Sequence, residues 1–271
     1  MVDFSDTVDA QIGEASGFDA IEVNLALWLD ASNIDLQSNA TLSDGDAIST
    51  WSDLSGNNYQ VFQSDSSKYP SLNSNSVLIE DGTGFTVANG GVEVGSNYTY
   101  YVVFNNNYIG NISNGYDSGH LFAYPTSGNG NRHFLLTNDG NITNLMTHGP
   151  DKGYPVTVAL LTGLNIVKVE VNGNETSFAV NGGSSEIGYS SSGETLGVSD
   201  PIQVIGNWND FGNSGFGNIN EVIIIKTTVS DTNDAKINYY LSKKWGLEDR
   251  VDSDGDGISD EFEELAGSLP M

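Results

Sequence analysis

The sequence predicts an all-β sandwich or jelly roll, and three observations carry that prediction. Short apolar runs with a period of two recur along the chain, each bounded by Gly, Asn, Ser or Pro. The chain has 32 glycines, a supply suited to tight turns between neighbouring strands. One stretch near the C-terminus has a helical period, so a doubly wound α/β sheet would lack the helices between its strands.

Residues 1–20 are acidic with little periodicity and read as a lead-in segment or a linker. The folded part is expected to begin at Ile21. From there Val23, Leu25, Leu27 and Leu29 alternate with Glu22, Asn24, Ala26 and Trp28 until Asp30-Ala31-Ser32-Asn33 ends the strand. Ala47 to Trp51 and Tyr59 to Phe62 read as strands on either side of a turn at Ser52 to Asn58. Further strands are expected at Val77 to Ile79, Phe85 to Val87, Tyr98 to Phe104, Leu121 to Tyr124, Phe134 to Thr137 and Val156 to Leu161. The clearest hairpin joins Ile166 to Val171 with Thr176 to Val180, because Asn172-Gly173-Asn174 supplies the positive φ angles of a tight turn. Ile202 to Ile205 and Val222 to Ile225 are apolar enough for strands covered on both faces.

The helix is expected after Ser230 or Thr232 as its cap. Asp231 and Asp234 suit its positive end, and Lys243 and Lys244 its negative end. Ile237, Tyr240, Leu241 and Trp245 fall on one face, which would pack on the sheet, and Gly246 ends the helix.

Nine Lys and Arg against 36 Asp and Glu give a net charge of −27, a field that repels nucleic acid and anionic lipid. With no cysteine, neither disulfides nor thiol chemistry can contribute. No apolar run reaches the ~18 residues of a membrane span, and residues 1–20 lack a signal peptide's pattern. The expectation is a domain of a larger secreted or surface protein, working outside the cell beside other domains, without membrane insertion.

Residues 252–263 match the calcium-loop pattern D-x-D-x-D-G-x5-E. Asp252, Asp254, Asp256, Asp260 and Glu263 are the side-chain ligands it predicts, with the Ile258 carbonyl between them and Gly257 at the sharp turn. The apolar Ile258 stands at position seven of the loop, whereas paired EF-hands have theirs at eight. The loop resembles the unpaired loops of bacterial thrombospondin type 3-like repeats, which are structural calcium sites. Asp53 and Asn57 offer oxygens in a turn and are candidate ligands for a second calcium ion.

Leu27-Trp28-Leu29-Asp30-Ala31-Ser32, Trp51-Ser52-Asp53-Leu54-Ser55-Gly56-Asn57, the Tyr69-Pro70-Ser71 turn and Tyr239-Tyr240-Leu241 through Trp245-Gly246-Leu247 together resemble laminin G-like, concanavalin A-like jelly rolls of bacterial surface proteins. That resemblance covers about residues 22–248 and implies that the Trp-x-Asp-x-Ser-Gly-Asn stretch and the Trp-Gly-Leu ending are features of the fold. It implies a concanavalin A-like domain over 21–248, with the calcium loop and a short helix at 249–271. Within the family, the acidic, cysteine-free character is most similar to ligand-binding modules of calcium-dependent adhesins, including peptide-binding domains.

Glycoside hydrolases also use this architecture. Those that retain configuration place two carboxylates about 5.5 Å apart, as a Glu-x-Asp-x-x-Glu run on one strand would. The sequence has no such run; Glu221 reads as an isolated acid, and His120, Arg132 and His133 lack the motif of a lyase. The expectation is therefore a non-enzymatic, calcium-dependent adhesin module that binds an extracellular peptide or carbohydrate. The alternatives are a polysaccharide-degrading hydrolase or lyase, or a ligand-free spacer. Asn207, Trp208, Asp210 and Phe216 in one loop, with Asn131 and Arg132 in another, are the candidate ligand-binding residues, as aromatic, amide and cationic groups on turns.

Overall fold

The computed structural model describes residues 24–105, 118–123, 132–139, 142–149, 152–156, 160–173, 175–189, 201–207, 217–268 and 270. They form two eight-stranded sheets in which the paired strands are antiparallel. One sheet contains β1 (Leu25–Asp30), β4 (Ser71–Asn73), β5 (Ser76–Ile79), β7 (Asn97–Asn105), β12 (Leu164–Asn172), β13 (Glu175–Val180), β14 (Glu186–Tyr189) and β16 (Gly217–Ile225). The other contains β2 (Thr50–Ser52), β3 (Gln60–Phe62), β6 (Phe85–Val87), β8 (Ser118–Ala123), β9 (Arg132–Asp139), β10 (Ile142–Gly149), β11 (Lys152–Val156) and β15 (Val204–Ile205).

A single core lies between the sheets. Leu27, Leu29, Tyr100, Val102, Phe104, Val222 and Ile224 face inward against Trp51, Phe85 and Phe122 of the second sheet. Tyr101, Val103, Ile223 and Ile225 alternate with these and face outward, where α1 (Asp231–Trp245) covers them with Ile237, Tyr240 and Leu241. Both faces of the first sheet are therefore buried at its centre, which is why every residue of β1 is buried, in keeping with its run of five apolar residues before Asp30. A bulge between Leu25 and Leu27 in the β1–β16 ladder puts Leu25 with Trp28 on the outer face. Fully burying each large helix side chain contributes about 1.5–3 kcal/mol.

Helix α1 begins at the Ser230 cap, whose hydroxyl accepts from the Asn233 amide at 3.4 Å. Its first turn is fastened to the sheet by Asp234, which accepts from Tyr101 Oη at 2.7 Å and from Lys168 Nζ at 2.6 Å. The β12–β13 hairpin pairs Asn172 with Glu175, so its two-residue turn starts at Gly173.

Several expected elements differ. Of the expected strand Val156 to Leu161, Val156 ends β11, Leu160 and Leu161 belong to no strand, and residues 157–159 lie outside the described residues; Arg132 and His133 open strand β9 where a turn was expected. Strands β4, β10 and β14 have no clear alternation in sequence and are fixed by their pairing partners. The start of the first strand at Ile21 to Val23 lies outside the described residues.

The C-terminal segment 249–271 packs against the sandwich. Val251 is fully buried in the outer cluster, and the Asp252 amide donates to Asn181 O at 3.1 Å. The chain passes so close at Gly182 that a Cβ there would lie 1.9 Å from the Asp252 carbonyl oxygen, and its φ of +74° already disfavours a side chain. Gly182→Ala is accordingly expected to cost about 2 kcal/mol or more, since backbone faces backbone on both sides. A thermal melt unchanged by that substitution would show that the two segments are not held together as described.

Candidate functional site

The acidic loop is ordered by hydrogen bonds from its own backbone. Asp252 Oδ1 accepts from the amides of Gly255 (2.9 Å) and Asp256 (3.1 Å), and Oδ2 from that of Gly257 (2.8 Å). Asp256 Oδ1 accepts from the Ile258 amide at 2.9 Å. Gly257 has a φ of +95°, which lets the chain reverse here without a side-chain clash. Carboxylate oxygens of Asp252, Asp254 and Asp256 all lie within 4.8 Å of one another. That spread matches oxygens placed about 2.4 Å from one shared hard cation.

Glu263, in α2 (Asp260–Ala266), lies near enough to these aspartates to feel their charge. It is 5% exposed, yet its Oε2 is buried and meets no donor among the described residues. Burial raises its pKa, and the negative charges of Asp254, Asp256, Asp260 and Asp252 raise it further. An unpaired, desolvated carboxylate beside three converging acids is an arrangement that a divalent cation would relieve.

Asp260, the remaining expected ligand, is fully buried and turns inward. Its Oδ1 accepts from the Ser253 amide at 2.9 Å, and its Oδ2 accepts from the hydroxyls of Ser253 and Ser242. These bonds brace the loop against α1. Asp53 and Asn57 lie elsewhere, in the turn after β2, and are likewise engaged. Asp53 accepts from the amides of Trp28, Ser55 and Tyr59 and from the Ser55 hydroxyl, while Asn57 Nδ2 donates to the carbonyls of Leu25 and Ala26. These bonds fasten the Trp51 to Asn57 turn onto β1, which gives that motif a physical role in the fold.

Of the candidate ligand-binding residues, Asn207 is fully buried and donates to Thr83 O at 2.8 Å, so it holds its loop from inside. Arg132 lies at the start of β9, paired with Ala123 of β8. Asn131, Trp208, Asp210 and Phe216 lie outside the described residues.

Glu221 is not an isolated acid. It stands opposite Asp30 across the β1–β16 ladder, and Lys244 Nζ binds both, at 2.8 Å from Asp30 Oδ2 and 2.8 Å from Glu221 Oε2. Burial raises the Glu221 pKa, with Lys244 opposing that shift. Trp28 Nε1, Tyr240 Oη and Trp245 Nε1 also donate to Glu221. Its oxygens are saturated and 1% of the residue is exposed, so this pair anchors the helix and leaves no free oxygen for a substrate. The sequence signal for it was indirect: an acid heading the apolar run Val222 to Ile225 on a central strand requires a buried partner.

No family model and no curated protein matches the chain. Solved structures do resemble it. Trypanosoma rangeli sialidase in complex with sialic acid matches at a TM-score of 0.55 and 14% identity, over 88% of this chain and 37% of the sialidase. A GH54 arabinofuranosidase complexed with arabinofuranosyl-alpha-1,2-xylobiose matches at 0.54 and 14% identity, over 81% of this chain and 59% of the enzyme. The chain thus spans about a third of the sialidase and about three fifths of the arabinofuranosidase. At this identity the likeness establishes the β-sandwich. It also corrects two expectations, an adhesin module and a non-enzymatic chain, because these similar structures are glycoside hydrolases. No helix among the described residues is long and apolar enough to cross a membrane.

Proposed function

We propose that the chain is a carbohydrate-active β-sandwich domain of a polysaccharide-degrading hydrolase or lyase, of the concanavalin A-like, laminin G-like kind. The observation that supports this reading is the sandwich shared over more than four fifths of the chain with enzymes solved with sugars bound. The chain's share of those enzymes' length goes with a domain that acts beside others. Incubating the protein with arabinan, xylan and sialylated oligosaccharides, with and without calcium, tests the reading. Affinity electrophoresis would detect retention, and assays for released reducing ends and unsaturated products would detect turnover. Retention or turnover on at least one class is expected, and absence of both across the panel overturns the reading.

We further propose that Asp252, Asp254, Asp256, Glu263 and the Ile258 carbonyl hold one calcium ion. Supporting this are the spacing of the three aspartate side chains and the unpartnered Glu263 Oε2. The ion would supply the positive charge that the loop lacks, and so hold the C-terminal segment on the sandwich. An extracellular setting fits this proposal, since calcium sites of moderate affinity fill at the millimolar concentrations found there.

A further inference from the structure

On the outer face of the first sheet, beyond the C-terminal end of α1, lies an open pocket of about 490 Å³. The β4–β5 turn, the first residues of β16 and the end of the helix wall it, and its size is within the range of small-ligand sites. Asn73, Asn75, Asn218 and Asn220 line it together with Trp245 of α1.

We infer that this pocket binds a neutral saccharide unit of an oligosaccharide. The inference rests on the carbohydrate-active reading and gives it a location. Three observations carry it. First, Asn220 is 6% exposed and its Nδ2 donates to Asn75 O at 3.0 Å, while its Oδ1 is buried and meets no donor among the described residues. That oxygen is closed to solvent in the empty pocket, so a sugar hydroxyl reaches it by a turn of the Asn220 side chain toward the ligand. Second, Asn218 Oδ1 accepts from Asn73 Nδ2 at 2.8 Å and from Ser76 Oγ at 3.1 Å, which fixes the orientation of the amides before a ligand arrives. Third, the half-buried Trp245 is held by its indole N–H on Glu221 Oε2 at 2.7 Å, so an aromatic surface stands in place for the apolar C–H face of a sugar ring.

The charge around the pocket selects for neutrality. No carboxylate lines it, so it has no ligand set for a metal or an ammonium group. The one cation on its wall, Lys244, is already bound by Asp30 and Glu221, and the chain as a whole carries a net charge of −27, which repels anionic sugars. Amides and hydroxyls that both donate and accept match a polyhydroxylated ligand.

The test uses the intact chain with xylotriose and arabinotriose as neutral probes and sialyllactose as the anionic one. Calorimetry reads affinity, and proton–nitrogen correlation spectra read the Trp245 indole and the Asn218 and Asn220 side-chain amides. A neutral probe is expected to shift those signals, and Asn220→Ala to weaken its binding about tenfold, the loss of a buried hydrogen bond. Because Asn220 is buried, the exposed Asn73→Ala serves as a second variant whose fold is less at risk, with a several-fold loss expected. Binding of a neutral probe with these signals unmoved and full affinity in both folded variants overturns the pocket, while the carbohydrate-active reading stands. Tighter binding of sialyllactose than of either neutral probe overturns the neutral class. If no probe binds, the pocket assignment falls, and the wider reading falls with it only if the polysaccharide panel is also negative.

Discussion

Glu221→Ala is expected to lower the stability of the sandwich by about 3–5 kcal/mol, because it removes one partner from a buried charge cluster. Glu221 accepts from Trp28 Nε1 at 2.8 Å, Tyr240 Oη at 3.0 Å, Trp245 Nε1 at 2.7 Å and Lys244 Nζ at 2.8 Å. The substitution takes an acceptor from four donors, of which the charged one, Lys244, keeps Asp30. Lys244→Met leaves Asp30 and Glu221 facing each other across the ladder with no cation between them, and a loss of similar size is expected. The double variant Glu221→Gln with Lys244→Met should lose less than Glu221→Gln and Lys244→Met added together, since Asp30 is then the one charge left without its partner and no longer faces a second carboxylate. Urea titrations at neutral pH with an unchanged slope would measure all three. At that pH Lys244 is fully charged. Burial disfavours its charged form, but Glu221 and Asp30 outweigh burial and hold its pKa above the ordinary 10.5. Its contribution is therefore complete below pH 10.5 and lost as pH climbs through the higher folded value. A loss under about 1 kcal/mol for Glu221→Ala would mean that the cluster does not anchor the helix.

How much of this was legible in the sequence depends on how local the signal is. The β12–β13 hairpin and helix α1 were, because a Gly-containing turn, a serine cap and a 3.6-residue period are each contained in a few neighbouring residues. Strand β10 was not, because Ile142–Gly149 mixes threonine, asparagine and histidine with apolar residues and is defined by β9 and β11 on either side. The first strand was legible as a strand, but not what covers its outer face, which is a helix some 200 residues later in the chain. The ion cluster depends on register: Asp30 meets Glu221 only through pairing of β1 with β16, which no local spacing reveals. The amide pocket was hidden for the same reason, since Asn73 and Asn75 meet Asn218 and Asn220 only in the folded sheet. In the acidic loop, by contrast, spacing brought out Asp252, Asp254 and Asp256 together, and only the inward turn of Asp260 needed the helix to explain it.

Calcium is expected to raise the stability of the chain by about 4 kcal/mol at millimolar ion if the site has micromolar affinity, as a ligand selective for the folded state does. The gain has a structural route. Without an ion the Glu263 carboxylate is desolvated beside the acids of its own loop, so part of the folding energy is spent holding like charges together. Binding removes that cost and fixes Asp252, whose amide donates to Asn181 O and whose carbonyl abuts Gly182 in the turn after β13. The ion's effect should therefore extend beyond the loop. Hydrogen exchange at the Gly183 amide, which donates to Val180 O at 3.0 Å, is expected to slow when calcium is added. Asp256→Ala combined with Glu263→Gln removes one of the converging aspartates and the charge of the desolvated glutamate, and should lower the calcium stoichiometry by one ion and abolish both the stability gain and the added protection. Equal stoichiometry in the double variant would place the ion elsewhere, and a melting temperature unmoved by exhaustive chelation would show that the loop folds without it.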